Sequence, residues 1–545
     1  MTIEQTETWQ KLTAHAQTFQ TPAHHLKELL KDPQRINAFS INVAGLWYDY
    51  SRQRVTTQTL KLLYQFAREQ KVQKRFSDMT QGAVVNPTED RAALHTACRQ
   101  MNDDPIMVND INVMPDIIAA RKEAGDFCRK IHRGEIKSSV DKRFTHAVVV
   151  GIGGSYLGTQ FVARALFTQA DRGIQLHYLS NVDSHNFHAV WDQIDPEATL
   201  WIVISKSYKT AETLANVRLA VQWMLDQGLD PAHHIVTVTA KGSPGDNPSN
   251  PVLASFHMFD FIGGRYSVSS AVGAVPLGLY IGPERFDAFL KGMAEMDRHA
   301  LTAPPNQNGP LTAALIAIWN NNLLGYAAQG IIPYASFLDK LAPHFQQLNM
   351  ESCGKSVTLQ NSPVNGSTGT FIFGEPGTNA QHSFFQLAHQ GRPFPIDFVG
   401  VVKPNYPQFR DPQTNVSNHE ELWANMMAQA AALAEGKDHP DPMRRCSGNR
   451  PSSTLVIRSL SPKDVGRLLA FYEHRTVYEA FLWNINPFDQ FGVELGKTMA
   501  KDIRKKIIAA QTDATGFEKS SRPIEECYLT MLASGKLPEN LLGKK

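Results

Sequence analysis

The stretch His146-Ala-Val-Val-Val-Gly-Ile-Gly-Gly-Ser-Tyr-Leu-Gly158 decides how the chain is read. An apolar, β-branched run feeds a glycine-rich turn that opens a helical period. A helix that starts this way attracts anions through its unpaired N–H groups and positive dipole end. Both familiar nucleotide loops fail here. Counted from Gly151, the third glycine of the dinucleotide pattern G-x-G-x-x-G falls on Tyr156, and the Walker pattern would need Lys where Thr159 follows Gly158. A small phosphorylated metabolite remains, beside the plain alternative of an ordinary strand-to-helix turn.

Outward from this stretch the pattern alternates. Apolar runs at 146–150, 174–179, 199–204 and 234–238 are separated by helical periods at 156–167, near 188–193 and at 210–225. This spacing predicts a parallel sheet covered by helices on both faces. A connector, Thr302-Ala-Pro-Pro-Asn-Gln-Asn-Gly-Pro310, precedes a second alternation. There we expect helices at 311–329, 338–350, 381–390 and 419–435, and strands at 331–335, 370–373, 395–401 and 454–457. The organisation expected is α/β: a helical N-terminal region (1–140), one α/β unit (141–290), a second (310–510) and a helical tail (511–545). In the first region, Asn86-Pro-Thr-Glu-Asp-Arg91 is expected to lead into a helix over 92–99 capped by Thr88.

The 545 residues are 42% hydrophobic with a net charge of +2, which gives no reason to expect a nucleic-acid partner. Five widely spaced cysteines form no CxxC pair and fit a reducing compartment. The first residues show no basic and apolar leader pattern, and no apolar run reaches membrane-spanning length, so a cytoplasmic protein is expected without a membrane partner. Asp183-Ser-His-Asn-Phe-His188 hints at a metal, but no further ligand motif supports it, and no metal is expected.

Polar constellations follow the strands. Ser205-Lys-Ser-Tyr-Lys-Thr-Ala-Glu-Thr213 repeats the strand, turn and helix logic, with hydroxyls at Ser205, Ser207 and Thr210 and charge at Lys206 and Lys209. Two anion-ready loops at the carboxyl ends of parallel strands could converge on one phosphate. In Phe345-Gln-Gln-Leu-Asn-Met-Glu-Ser-Cys-Gly-Lys355, Gln347 and Glu351 are four apart and would share a helical face. In Gly374-Glu-Pro-Gly-Thr-Asn-Ala-Gln-His382, Asn379 could cap a helix whose first turn holds His382. Gln490 and Lys497, seven apart, could share a face. Taken singly, Glu351 reads as a solvated acid and Lys497 as a surface charge, while His382 reads equally as a neutral proton carrier or as a structural histidine.

Together these residues resemble the phosphoglucose isomerase family over nearly the whole chain. Seven segments stand in that family's order: Asn86–Arg91, Gly151–Ser155, Ser205–Thr213, Gly263-Gly-Arg-Tyr-Ser267, Met350–Lys355, Gly374–Asn379 and Phe488-Asp-Gln-Phe-Gly-Val-Glu494. The resemblance implies two tandem three-layer αβα sugar-isomerase subdomains with helical additions. It implies reversible conversion of glucose 6-phosphate to fructose 6-phosphate through ring opening and an enediolate, in glycolysis and gluconeogenesis, without cofactor. It assigns Glu351 as the base, His382 with Lys497 to ring opening, and Arg265 to the enediolate oxygens. It assigns Ser205, Lys206, Ser207 and Thr210 to the phosphate, and Gly154, Ser155, Gln347 and Gln490 to the sugar. It also implies a homodimer in which His382 reaches in from the neighbouring subunit. Cys353 stands where the family often has Asn, and its place two residues past Glu351 suggests modest sensitivity to oxidation. Two rivals are a non-catalytic sugar-phosphate sensor and a nicotinamide oxidoreductase, the latter weakened by the failed fingerprint. An isomerase of wider aldose tolerance would share the same machinery.

Overall fold

Thr199–Ile204 is Thr-Leu-Trp-Ile-Val-Ile, and all six residues are buried. Only a central strand of a sheet covered on both faces hides consecutive side chains this way. In the computed structural model, which describes residues 3–171, 173–512 and 523–537, it lies in a five-stranded parallel sheet. Labelling β1 (Ser40–Val43), β2 (Leu46–Asp49), β3 (His146–Val150), β4 (Gln175–Leu179), β5 (Thr199–Ile204), β6 (Ile235–Thr239) and β7 (Ala254–His257), the order is β7-β6-β5-β3-β4. Helix α1 (Leu157–Ala165) follows β3, and helix α2 (Ala211–Asp226) follows β5. After β3 the chain moves to one edge of the sheet; after β5 it builds toward the other. The loops that leave these neighbouring strands therefore part company, and a crevice opens between them.

The second sheet has six strands. With β8 (Ala328–Pro333), β9 (Phe371–Phe373), β10 (Ile396–Lys403) and β11 (Ser452–Ser459), its order is β1-β2-β11-β10-β8-β9. Strands β11, β10, β8 and β9 are parallel; β2 joins β11 antiparallel and β1 closes the edge. The alternating α/β pattern and its parallel sheets thus stand as expected.

Three local expectations are corrected, and one is extended. The first 140 residues, expected to be mainly helical, also supply the β1–β2 hairpin to the second sheet. Its connection is Ala44-Gly45, both with positive φ (51° and 90°), the two-residue turn that suits the twist of a hairpin. No helix spans 92–99; the Thr88 hydroxyl bonds Asn86 Oδ1 at 3.1 Å, Arg91–Ala92 pairs as a strand, and only Ala97–Arg99 turns. The helix expected over 311–329 runs Gly309–Ile318, and a π-helical turn (Trp319–Leu323) ends it. The one expected over 381–390 starts only at Phe385, after a short turn Asn379–His382.

Most of the described chain falls in the unit Met1–Phe488, and Asp489–Lys545 forms a separate unit. The latter contains a turn (Phe491–Val493) and helices Glu494–Thr512 and Pro523–Ser534, with Lys506 Nζ 3.9 Å from Glu525 Oε2.

The larger unit is pinned by two further helices, α3 (Pro283–Thr302) and α4 (Pro462–Leu482). Helix α4 is buried along nearly its whole length yet carries Glu473, His474, Arg475 and Glu479. Buried charges persist only when paired. Arg99 clasps Asp297 with Nε and Nη2 (2.7 and 2.6 Å) and reaches Glu473 Oε2 through Nη1 at 2.5 Å. His474 Nε2 meets Asp297 Oδ1 at 2.7 Å. Arg475 bonds Glu479 Oε1 and Asp397 Oδ2, both at 2.7 Å, and Gln329 Oε1 at 2.5 Å. It thereby ties α4 to β8 and β10.

These pairs make stability depend on pH in opposite senses. Burial opposes the charge on Asp297, but Arg99 and His474 outweigh it and hold the carboxyl at about 2. Its contribution is present above its ordinary value of 3.8 and is lost as pH falls toward 2. Burial pushes Glu473 up to about 7 against the pull of Arg99. Its folded form therefore favours the proton, and stability is lost as pH rises from 4.5 to about 7. We expect Glu473→Gln to flatten this decline: between pH 4.5 and 7.5 its melting temperature should fall less than that of the unmodified chain. The difference at pH 7.5 is bounded by about 3 kcal/mol. Parallel scanning calorimetry at the two pH values checks it.

Candidate active site

Strand β3 ends at Val150, and Gly151 to Ser155 fold into a tight turn before α1. Ser155 N–H donates to Ile152 O and Tyr156 N–H to Gly153 O, so part of the loop's amide set closes the turn itself. Gly153 sits at φ +59°, where glycine is free of strain, and a Cβ there would lie 3.1 Å from Gln347 Nε2. Gly154 is held by space: a Cβ would stand 2.2 Å from the Gly264 carbonyl carbon and 2.7 Å from Arg265 N. Ser267 Oγ adds a 3.3 Å bond to Gly154 O. The glycine loop thus lies flush on the segment that carries Arg265.

From β5, the second loop runs through Ser205, Lys206, Ser207 and Thr210. Tyr208 takes φ +50° and buries its ring against Gly245, which fixes the loop's path. Thr210 is the N-cap of α2, but its hydroxyl makes no capping bond and lies 3.5 Å from Ser205 Oγ. The start of α2 is therefore a cluster of hydroxyls before a helix whose first amides its own cap does not take up. That is the chemistry an oxyanion requires. The Lys206 ammonium turns away, onto the carbonyl oxygens of Asp260 (2.8 Å) and Ile262 (3.2 Å).

Arg265 lies in the buried turn Gly264–Ser269. Its guanidinium donates from Nη1 to Glu351 Oε1 (3.1 Å), from Nε to Ser352 Oγ (2.6 Å) and from Nη2 to Pro487 O (2.5 Å). Glu351 closes a π-helical segment, Gln346–Glu351, that continues the short helix Leu341–Phe345. The expected continuous α-helix over 338–350 is thus replaced by a wider coil. In a π-helix the repeat exceeds four residues, so the i,i+4 argument for Gln347 and Glu351 does not strictly apply. The two nonetheless reach the same region, Gln347 beside Gly153 and Glu351 on Arg265. Gln347 Oε1 is buried with no hydrogen-bond partner among the described residues, an acceptor suited to a sugar hydroxyl. The π-helix is anchored from beneath by Asn349, which donates to Glu479 Oε2 of α4 at 2.8 Å.

The structure therefore brings Gly154, Arg265, Gln347 and Glu351 together. It sets Ser155 and the 205–210 hydroxyls on the turns that leave the adjacent strands β3 and β5. It does not bring His382 in: this side chain is exposed at the end of the turn Asn379–His382, and among the described residues no bond or ion pair joins it to Glu351 or Arg265. Gln490 and Lys497 lie in the separate unit. Gln490 precedes the helix Glu494–Thr512 that holds the exposed Lys497, so the shared helical face expected for them is absent. Among the described residues no group of three or more His, Cys, Asp or Glu could hold a metal, and no helix is long and apolar enough to cross a membrane.

Sequence reasoning missed Ser352 and Tyr266, whose hydroxyls meet at 3.0 Å and steady the guanidinium. Both directly follow residues already singled out, and a buried arginine beside a hydroxyl was the available signal. The Asn86–Arg91 segment also gains a purpose: Asn486 Nδ2 donates to Asn86 Oδ1 and Thr88 Oγ1, each at 2.8 Å, just before the Pro487 carbonyl that receives Arg265. The surroundings of Cys353 argue against the oxidation sensitivity expected of it. It is fully buried, and burial together with the Glu479 carboxylate raises its thiol pKa well above the ordinary value, keeping it protonated.

A glycine turn and a hydroxyl-bearing turn that leave adjacent parallel strands, with the Arg265–Glu351 pair beside the first, define a class, the sugar-phosphate isomerase type of α/β protein. The crystal structure of glucose-6-phosphate isomerase from Chlamydia trachomatis matches this fold with a TM-score of 0.88 at 35% identity, over 98% of this chain and 100% of that one. The profile of the phosphoglucose isomerase family matches residues 49–524. A glucose-6-phosphate isomerase of Desulfosudis oleivorans is 58% identical over 540 residues, covering 98% of this chain and 97% of the relative. Cytosolic glucose-6-phosphate isomerase A of Oryza sativa is 40% identical, with 96% of each covered. The chain belongs to the phosphoglucose isomerase family.

Two outcomes follow from this geometry. Gly154→Ala should lower turnover by about 100-fold, because the added methyl must push the Arg265 segment aside; steady-state kinetics and a thermal melt of the same preparation check it. Iodoacetamide applied to the folded chain should leave Cys353 unlabelled and activity unchanged, as read by peptide mapping and assay.

Proposed function

We propose that the chain interconverts glucose 6-phosphate and fructose 6-phosphate, an aldose–ketose isomerisation that serves glycolysis and gluconeogenesis. The observation that carries this reading is the 3.1 Å pairing of Glu351 with Arg265, whose segment lies against the glycine loop after β3. The hydroxyls of Ser205, Ser207 and Thr210 and the backbone of the loop that includes Lys206 form the phosphate cradle, and binding energy gathered there fixes the far end of the sugar. Gly154 and Ser155 line the sugar, and the unpartnered Gln347 Oε1 takes a hydroxyl. Glu351 removes the proton from C2 of the open-chain aldose. The C–H electrons form the C1–C2 double bond, and the carbonyl pair moves onto O1. Arg265, fixed by Ser352 and Pro487, meets the negative charge as it forms, with no reorganisation to make. After proton exchange between O1 and O2, Glu351 returns its proton to C1 and the ketose results. No step calls for a redox group or a metal.

Opening of the sugar ring falls to His382 of a second copy, assisted by Lys497, with Gln490 also against substrate. The exposed side chain of His382, which makes no bond to its own chain's Glu351 among the described residues, supports a homodimer with shared sites. Five cysteines in no disulfide and the named cytosolic relatives support a cytoplasmic setting.

Glu351→Gln tests the reading. Turnover of glucose 6-phosphate should fall about 1,000-fold with KM within a few-fold, as expected for loss of a proton carrier rather than of binding. Transfer of solvent deuterium to C1 or C2 should vanish with it. Full activity in the variant overturns the role.

A further inference from the structure

We infer that the Lys206 side chain is a positioning group and not a phosphate ligand: its ammonium locks the segment that carries Arg265 onto the phosphate loop. The inference rests on the sugar-phosphate reading above and assigns one residue of that site a different task.

An ammonium has three N–H groups and no acceptor. Lys206 Nζ donates to Asp260 O at 2.8 Å and to Ile262 O at 3.2 Å, and the Asp260 carboxylate stands 3.9 Å away. To reach a phosphate it would have to leave two backbone carbonyls behind. Its main chain is equally fixed: Lys206 O accepts from Ala240 N–H at 3.0 Å, and Thr239 Oγ1 bonds Ser205 O at 2.8 Å. Both ends of the side chain are thus attached, one to the loop after β5, the other to residues 260–262.

Those residues lead directly to Arg265. The same segment is gripped twice more. Leu94 N–H donates to Phe261 O at 3.1 Å, and Gly154 lies against Gly264. A continuous rigid path therefore runs from the phosphate cradle, through Lys206, to Arg265 and on to Glu351. The carbon chain between the phosphate and the reacting C1 and C2 has a fixed length. The distance between cradle and guanidinium must match it, and an error near 1 Å costs on the order of 100-fold in rate. The ammonium sets that distance.

The two roles give different kinetics. Full-length Lys206→Met and Lys206→Gln are assayed for kcat, for KM on glucose 6-phosphate and for competitive inhibition by inorganic phosphate, with circular dichroism and melting to verify folding. We expect Lys206→Met to lose about 10-fold or more in kcat, with the phosphate inhibition constant within about 2-fold of the unmodified chain. Lys206→Gln, uncharged but still an N–H donor, should regain part of kcat. A rise of about 10-fold in the phosphate inhibition constant, equal in both variants, overturns the inference, and so does unchanged kcat in both. If Lys206→Met does not fold, Lys206→Gln decides by the same criteria. An unmodified chain inactive on glucose 6-phosphate is a separate result and defeats the underlying reading instead.

Discussion

One buried guanidinium holds three parts of the chain in register. Arg265 comes from the turn beyond the five-stranded sheet, Glu351 and Ser352 from the π-helical end beside the six-stranded sheet, and Pro487 from the stretch after α4. A cation taken out of water at such cost must find partners for every donor direction, and partners drawn from distant parts of the sequence fix their relative positions. The same contact that stabilises the join between the two α/β layers sets a carboxylate beside a cation. Structure and chemistry therefore share a single set of bonds.

Two kinds of feature support this centre. On one side, shape does the work: Gly154 has no side chain because the backbone of Gly264 and Arg265 occupies its place. On the other, charge does it. Asn349 within the π-helix joins Glu479, Glu479 joins Arg475, and Arg475 reaches Asp397 and Gln329 on β10 and β8. The segment that ends in Glu351 is thus tied, through Asn349, to a buried polar network that reaches the middle of the six-stranded sheet. A neutral apolar helix in place of α4 would pack as well, but would give the segment above it no directional hold.

Much of the fold was legible because it obeys short-range rules. The buried run of β5 and the helix that follows it announce a parallel sheet through composition alone. The glycine and hydroxyl loops announce anion binding through turn chemistry and helix starts. What escaped detection depends on distant partners. The β1–β2 hairpin has few residues and a turn, Ala44-Gly45, that lacks the usual Asn-Gly or Asp-Gly signature. The helix expected at 92–99 gave way because Asn86 and Thr88 bond Asn486, roughly four hundred positions away in sequence. Lys206 reads as a phosphate lysine from its neighbours in the chain, yet its carbonyl partners lie more than fifty residues on. Glu351 alone looks like a surface acid; its spacing from Gln347 drew notice, only the family resemblance made it a base, and only the fold shows the arginine against it.

The coil at Gln346–Glu351 has a consequence for how this region tolerates change. It winds wider than an α-helix, as though one residue had been slipped into a regular ladder. Each residue of an α-helix turns the next side chain by about 100°. Were the segment to shorten by one, the ladder would become regular and more comfortable locally, while Glu351 would swing roughly a quarter-turn around the axis. The carboxylate would face packing atoms instead of Arg265. The surplus residue is thus an angular setting: local regularity is given up so that one oxygen atom points the right way.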